Sequence, residues 1–154
     1  MAGVRDFTEL RIWQQARDWS RRIFHCTKRD NFKADRRLVG QTNDSSESVM
    51  SNIAEGFGRG TPGEFVQFLG YAIGSLDETR SHRATAYDRE YLPKDEYAGT
   101  GLRRQTVAFT VSMVKPGSSV KHLRTQKSWS DEVWELYECV TEKERPELYR
   151  GNRE

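Results

Sequence analysis

The side chains in this sequence best suited to chemistry are its cations, because they fall in rows that acids scarcely interrupt. Arg103, Arg104, Lys115, Lys121, Arg124 and Lys127 lie in a stretch, residues 101–128, that holds six basic residues and no acidic one. Arg17, Arg21 and Lys28 recur at spacings of four and seven, with Arg22 and Arg29 one turn off. On a helix such spacings put charges on a common face. Asp18 and Asp30 dilute this first cluster, and a charged helix face is commonly just solvated surface. The acid-free run is harder to read that way. Rows of Lys and Arg bind phosphate backbones by charge and counterion release, without reading base sequence. The expected chemistry is therefore sequence-independent contact with RNA or DNA.

Other chemistries find less support. His25, His82 and His122 stand far apart, with no nucleophile or carboxylate arrangement around them, and read as surface or boundary residues. Cys26 and Cys139 are isolated, without a second ligand at metal spacing, and read as free thiols. Neither a metal nor a cofactor is expected, and no catalytic residue is assigned. Gly58-Arg-Gly-Thr-Pro-Gly63 fits the G-x-G-x-x-G phosphate loop literally. The nucleotide-binding form of that loop needs a strand before it and a βαβ unit around it. Here the glycines serve a turn between helices. A weaker possibility is that the free N–H groups of the helix that follows, beside Arg59, hold a backbone phosphate.

These groups must be positioned by helices, since no segment reads as a strand. A first helix is expected from about Thr8 to Arg29, with Asp6 or Thr8 as N-cap. Ile12, Ala16, Trp19, Ile23 and Cys26 form one seam, and Leu10, Trp13, Ser20, Phe24 and Thr27 a second. Two adjacent seams imply a broad covered arc. Asp30-Asn31 breaks the pattern. A second helix runs from about Asp35 to Phe57 through Leu38, Thr42, Val49, Ile53 and Phe57. Its middle, Asn43-Asp44-Ser45-Ser46, sets four poor helix formers in a row, so tertiary packing must hold it. The third is the clearest: Thr61 as N-cap, Pro62 at the first position and Glu64 in a capping box. Phe65, Phe68, Leu69, Ala72, Ile73 and Leu76 give it a wide apolar stripe to about Arg89. Gly70 and Gly74 make a strip where another helix could come close. A fourth helix is expected from about Lys94 to Val114, with Pro116 ending it.

Composition agrees with a slim helical fold. The apolar share of 154 residues is 35%, below the roughly 45–50% of globular domains. No apolar run approaches the roughly 20 residues needed to span a bilayer, and Met1 to Thr8 lacks the features of a secretion signal, so a cytoplasmic protein is expected. The net charge of +2 hides a blocked distribution: residues 1–40 and 101–128 are basic, residues 41–100 and 129–154 acidic. Residues 1–116 read as an antiparallel four-helix bundle, and residues 117–154 as a basic linker with a short acidic helix and tail. Asp131, Glu132, Glu135 and Glu138 could dock on the basic run. Alternatively, Trp129, Trp134, Leu136 and Tyr137 could anchor a partner protein.

The order of residues resembles one bacterial family. Phe7-Thr-Glu-Leu-Arg-Ile-Trp-Gln-Gln-Ala16, Gln41, Ser48-Val-Met-Ser-Asn-Ile-Ala-Glu-Gly-Phe-Gly-Arg59, Glu64-Phe-Val-Gln-Phe-Leu69 and Ala72-Ile-Gly-Ser-Leu-Asp-Glu78 follow in sequence. Together they resemble the four-helix-bundle proteins encoded by intervening sequences in bacterial large-subunit ribosomal RNA genes, a family that includes accessory variability proteins of diversity-generating retroelements. Asn52-Ile53-Ala-Glu55-Gly56 is the most specific signature. Its plain reading is structural: Ile53 packing inward, Gly56 as a left-handed cap, Asn52 and Glu55 bonding neighbouring helices or subunits, and Gly58 in the turn. The resemblance implies a four-helix bundle assembling into a homopentamer. It also implies nucleic-acid binding through a basic surface, with a reverse transcriptase as partner in the retroelement members. The chain departs from the pattern at Asn43-Asp44-Ser45-Ser46, where a basic pair followed by small apolar residues is expected.

Two functions follow as expectations. The first is a non-enzymatic oligomeric accessory protein that binds nucleic acid, as partner of a retroelement-type reverse transcriptase. The second is a protein-only adaptor, a ring presenting its C-terminal segment to another protein.

Overall fold

Helix α1, Arg11–Thr27, forms where the apolar residues recur every three or four positions. It starts later than expected. Asp6 Oδ1 accepts hydrogen bonds from the Thr8 backbone N–H at 2.9 Å and the Thr8 hydroxyl at 2.6 Å, and so caps a short 3-10 turn, Phe7–Glu9. Leu10 precedes α1 with no side-chain cap of its own. Ile12, Ala16, Trp19 and Ile23 are buried as the first seam predicts. The second seam is only partly covered: Leu10, Ser20 and Thr27 are buried, Trp13 is half-buried, and Phe24 is 45% exposed.

The computed structural model describes residues 4–99. After α1 the chain does not simply break: Asp30–Ala34 is a short helix, α2, whose Phe32 is fully buried and stacks on Tyr91 with ring centroids 5.6 Å apart. Asp35 then resets the backbone and caps α3, Arg36–Arg59, accepting the Leu38 N–H at 3.1 Å. Helix α4, Pro62–Asp88, opens as its sequence signature predicts, with Thr61 Oγ1 accepting the Glu64 N–H at 3.3 Å and donating to its carboxylate at 2.7 Å. Between α3 and α4 the turn needs a left-handed residue, and Gly60 supplies it at φ 80°.

The far end of α4 uses a device the sequence did not announce. Glu90 sits at φ 60°, the Tyr91 N–H reaches the Ala86 carbonyl at 2.8 Å, and the Glu90 N–H reaches Tyr87 at 2.9 Å. This is a Schellman cap with glutamate where glycine is usual. Helix α5, Lys94–Gly99, then begins at the position expected for the fourth helix. The rest of that helix and the expected boundary at residue 116 lie outside the described residues.

Helix α3 is the centre of the packing and runs antiparallel to both long neighbours. Against α4, Gly56 meets Phe65 and Phe68, Ser48 meets Ser75, Ser45 meets Thr79, and Asp35 meets Arg89, one number falling as the other rises. Against α1, Ser46 meets Ser20 and Asn43 meets Thr27. The described residues are helical throughout their regular structure, with no strand among them. Two apolar clusters result. The larger joins Ile12, Trp19, Ile23, Val49, Ile53 and Phe65, among others. The smaller joins Phe32, Leu38, Ala86 and Leu92.

A belt of hydroxyls separates the clusters, and it explains why Asn43-Asp44-Ser45-Ser46 is helical. Thr42, Ser45, Ser46 and Thr79 are buried. Thr42 Oγ1 donates to the Leu38 carbonyl at 2.6 Å and Ser45 Oγ to the Thr42 carbonyl at 3.2 Å. Thr79 Oγ1 lies 2.8 Å from Ser45 Oγ, and Ser20 Oγ 3.2 Å from Ser46 Oγ. Bonds between helices and back-bonds to the preceding turn satisfy the side chains that would otherwise compete with the helix.

Candidate nucleic-acid interface

Three of the cations expected to act together do share a face. Arg17 and Arg21 on α1 and Lys28 at its C-cap are exposed, and with Phe24 they fall within an arc of about 60° at 3.6 residues per turn. The row is about 16 Å long. Its core-facing side is held by Ile12, Ala16, Trp19 and Ile23, which fixes the rotation of the helix and turns the cations outward. Arg17 and Lys28 have no carboxylate within ion-pair distance among the described residues, while Arg21 approaches Asp18 at 3.9 Å, both being well exposed. An exposed contact of that length contributes little, so it leaves Arg21 available.

Aromatic rings interleave with these cations. The Arg17 guanidinium lies 5.8 Å from the centroid of Trp13, and the Lys28 ammonium 4.3 Å from that of Phe24. Trp13 is itself fixed edge-on against Phe7, 5.1 Å away. Exposed His25 is next to Phe24, edge-on at 6.2 Å.

The remaining described cations go elsewhere. Arg22 turns to the other flank, its Nε donating to the Asp18 carbonyl at 3.4 Å. Arg29, beyond the end of α1, forms an ion pair with Glu96 of α5. Arg59 closes on Glu55 at 2.7 Å and lies 5.4 Å from the Phe68 ring centroid. Its hydrogen bond to Glu55 pushes its pKa up, so it stays charged but largely occupied. Arg59 is also about 24 Å along α3 from Asn43, which contacts Thr27 beside Lys28. The structure thus brings Arg17, Arg21 and Lys28 together and leaves Arg22, Arg29 and Arg59 apart from them. Arg103, Arg104, Lys115, Lys121, Arg124 and Lys127 lie outside the described residues.

The signature segment differs from the expected reading in part. Gly56 is an interior helical residue, and the left-handed cap is Gly60. Gly56 is there because a Cβ would lie 2.6 Å from Phe68 Cβ and 3.1 Å from Phe65 Cδ2. Asn52 bonds within its own helix, its amide donating to the Ser48 carbonyl at 2.8 Å, and Glu55 pairs with Arg59 on the same helix. Ile53 is fully buried, as expected, and Gly58 is exposed in open space.

Two features were not visible in sequence. Arg83 is only 5% exposed, and its Nη2 donates to the Glu96 and Tyr97 carbonyls at 2.9 Å each, tying α5 to α4. Burial lowers its pKa, and nearby Cys26 is a half-buried free thiol whose pKa burial raises, which disfavours the reactive thiolate. The exposure of Phe24 was also missed, although its phase matches that of Arg17 and Lys28. An open cleft beside α2 and the α4–α5 turn is lined by Arg29, Asp30, Tyr87, Asp88, Glu90 and Lys94 among others. Its charges are of both signs, so it does not favour a polyanion.

Among the described residues no group of His, Cys, Asp and Glu is placed to hold a metal ion, and no helix is long and apolar enough to cross a membrane. No curated protein matches the chain. The family model described as 23S rRNA-intervening sequence protein matches residues 8–108, which take in α1 to α5, and the chain belongs to that family.

Proposed function

We propose that this protein is a non-enzymatic, oligomeric accessory protein that binds nucleic acid through phosphate contacts. The observation that carries the reading is the outward row of Arg17, Arg21 and Lys28, held on one face of α1 by the burial of Ile12, Trp19 and Ile23. Membership of an intervening-sequence family of ribosomal RNA genes supports it. The acid-free run from Leu102 to Ser128 adds Arg103, Arg104, Lys115, Lys121, Arg124 and Lys127 in sequence. Repeated around a homopentamer, the two basic segments make a positive belt, with a retroelement-type reverse transcriptase or its RNA as partner.

The test is binding of the full chain to labelled single-stranded RNA, duplex DNA and an RNA–DNA hybrid over a salt series. The logarithm of the affinity should fall linearly with log salt, and Arg17→Gln, Arg21→Gln and Lys28→Gln should each flatten that slope. No binding to any of the three at low salt would overturn the reading and favour the protein-only adaptor.

A further inference from the structure

Phe24 is the most exposed apolar side chain on α1, at 45%, and the helix surrounds it with cations. Arg21 precedes it by three residues, Lys28 follows by four, and Arg17 lies two turns back on the same arc. A large ring left in water costs free energy unless something covers it. The described neighbours do not: α3 packs along the Ser20 and Thr27 side of α1, and α5 meets Arg29 beyond the helix end. An aromatic ring centred in a basic row is the arrangement by which proteins hold single strands, the cations taking phosphates and the ring a base. A duplex hides its base faces in the stack and offers such a ring nothing.

Resting on the nucleic-acid reading above, we propose that Phe24 is a stacking platform that makes the α1 face selective for single-stranded nucleic acid, with Arg17, Arg21 and Lys28 holding the flanking phosphates. Lys28 now covers one face of the ring at 4.3 Å. An exposed cation–π contact is worth less than a base–aromatic stack, so an incoming base displaces the ammonium. The flexible lysine stem then carries its charge to an adjacent phosphate. Arg17 does the same at Trp13, although that ring is half-buried and fixed by Phe7.

The experiment compares the full chain with Phe24→Ala, Phe24→Trp and Arg17→Gln on an unstructured single-stranded RNA and a duplex of equal length, each over a salt series. Phe24→Ala should weaken single-strand binding about 5- to 150-fold, leave duplex binding within about twofold, and leave the salt slope unchanged because no charge is lost. Phe24→Trp should restore single-strand affinity. Arg17→Gln should flatten the slope by about 0.7 on the single strand. Equal loss on both substrates, or no loss on either, overturns the stacking role while phosphate binding stands. If Phe24→Ala instead breaks the assembly apart in sedimentation, the ring is a contact between copies and the proposal fails. Absence of any binding by the unaltered chain removes both readings.

Discussion

Gly56 of α3 and Phe68 of α4 meet so closely that a single methyl group at Gly56 would lie 2.6 Å from the Phe68 Cβ. Phe65 adds a second close neighbour, its Cδ2 at 3.1 Å. Gly56→Ala should therefore push the helices apart and destabilise the fold by about 1–3 kcal/mol. Thermal unfolding checks it.

The opposite result is expected on the outer face of α4. A Cβ added at Gly70 or Gly74 meets nothing within 4 Å. Gly70→Ala and Gly74→Ala should each stabilise the helix by about 0.5–1 kcal/mol. If copies of the chain assemble by close approach along these glycines, the same substitutions should weaken the assembly in sedimentation while raising the unfolding temperature of the separated subunit.

Glu90 stands in the left-handed region at φ 60°. Glu90→Gly removes the steric cost of that conformation and should stabilise the chain by about 1 kcal/mol, seen as a higher midpoint in urea unfolding. No change would mean that the cap at the end of α4 relaxes without penalty.

The hydroxyl belt predicts strong coupling between two residues. Thr79→Val leaves Ser45 Oγ buried without the hydroxyl that donates to it at 2.8 Å, and should cost about 1–2 kcal/mol. Replacing both, as Thr79→Val with Ser45→Ala, should cost less than the two single changes together, since each single change already removes the bond between them. A double-mutant cycle by denaturant unfolding measures the difference.

Asp35 gives the fold a pH dependence of known sign. The Leu38 N–H bond, aided by Arg89 at 2.6 Å and by Tyr91, holds its carboxyl below the ordinary value of 3.8. The charged form is thus favoured by folding. Its contribution is fully present above the unfolded value and is lost as pH falls through the lower, folded one. Asp35→Asn should lower the melting temperature at pH 7, and the gap from the unaltered protein should close as pH drops below about 4.

Where helix ends are set by local chemistry, the sequence was enough. Thr61, Pro62 and Glu64 open α4 as their types require, and the start of α5 at Lys94 follows from the Pro93 before it. The core seam of α1 and the inward Ile53 were legible from spacing alone. Gly56 was misread because a glycine near a helix end suits either a cap or a close contact. Only the position of Phe68 on another helix distinguishes them.

What the sequence by itself determined, then, is the helical character of the described residues, the start of α4 at Thr61, the membership signature and the outward row of Arg17, Arg21 and Lys28. These depend on interactions within a few residues and on a period of 3.6. Only the tertiary structure decided which polar residues enter the interior and which aromatic stays out. Ser45 and Ser46 are helical because Thr79 and Ser20 come from other helices to meet them. Arg83 is buried because the α5 carbonyls accept from it, and Phe24 is exposed because α3 covers α1 only along the Ser20 and Thr27 side. Burial belongs to pairs of surfaces, and a side chain's own type and spacing do not say which surface will face it.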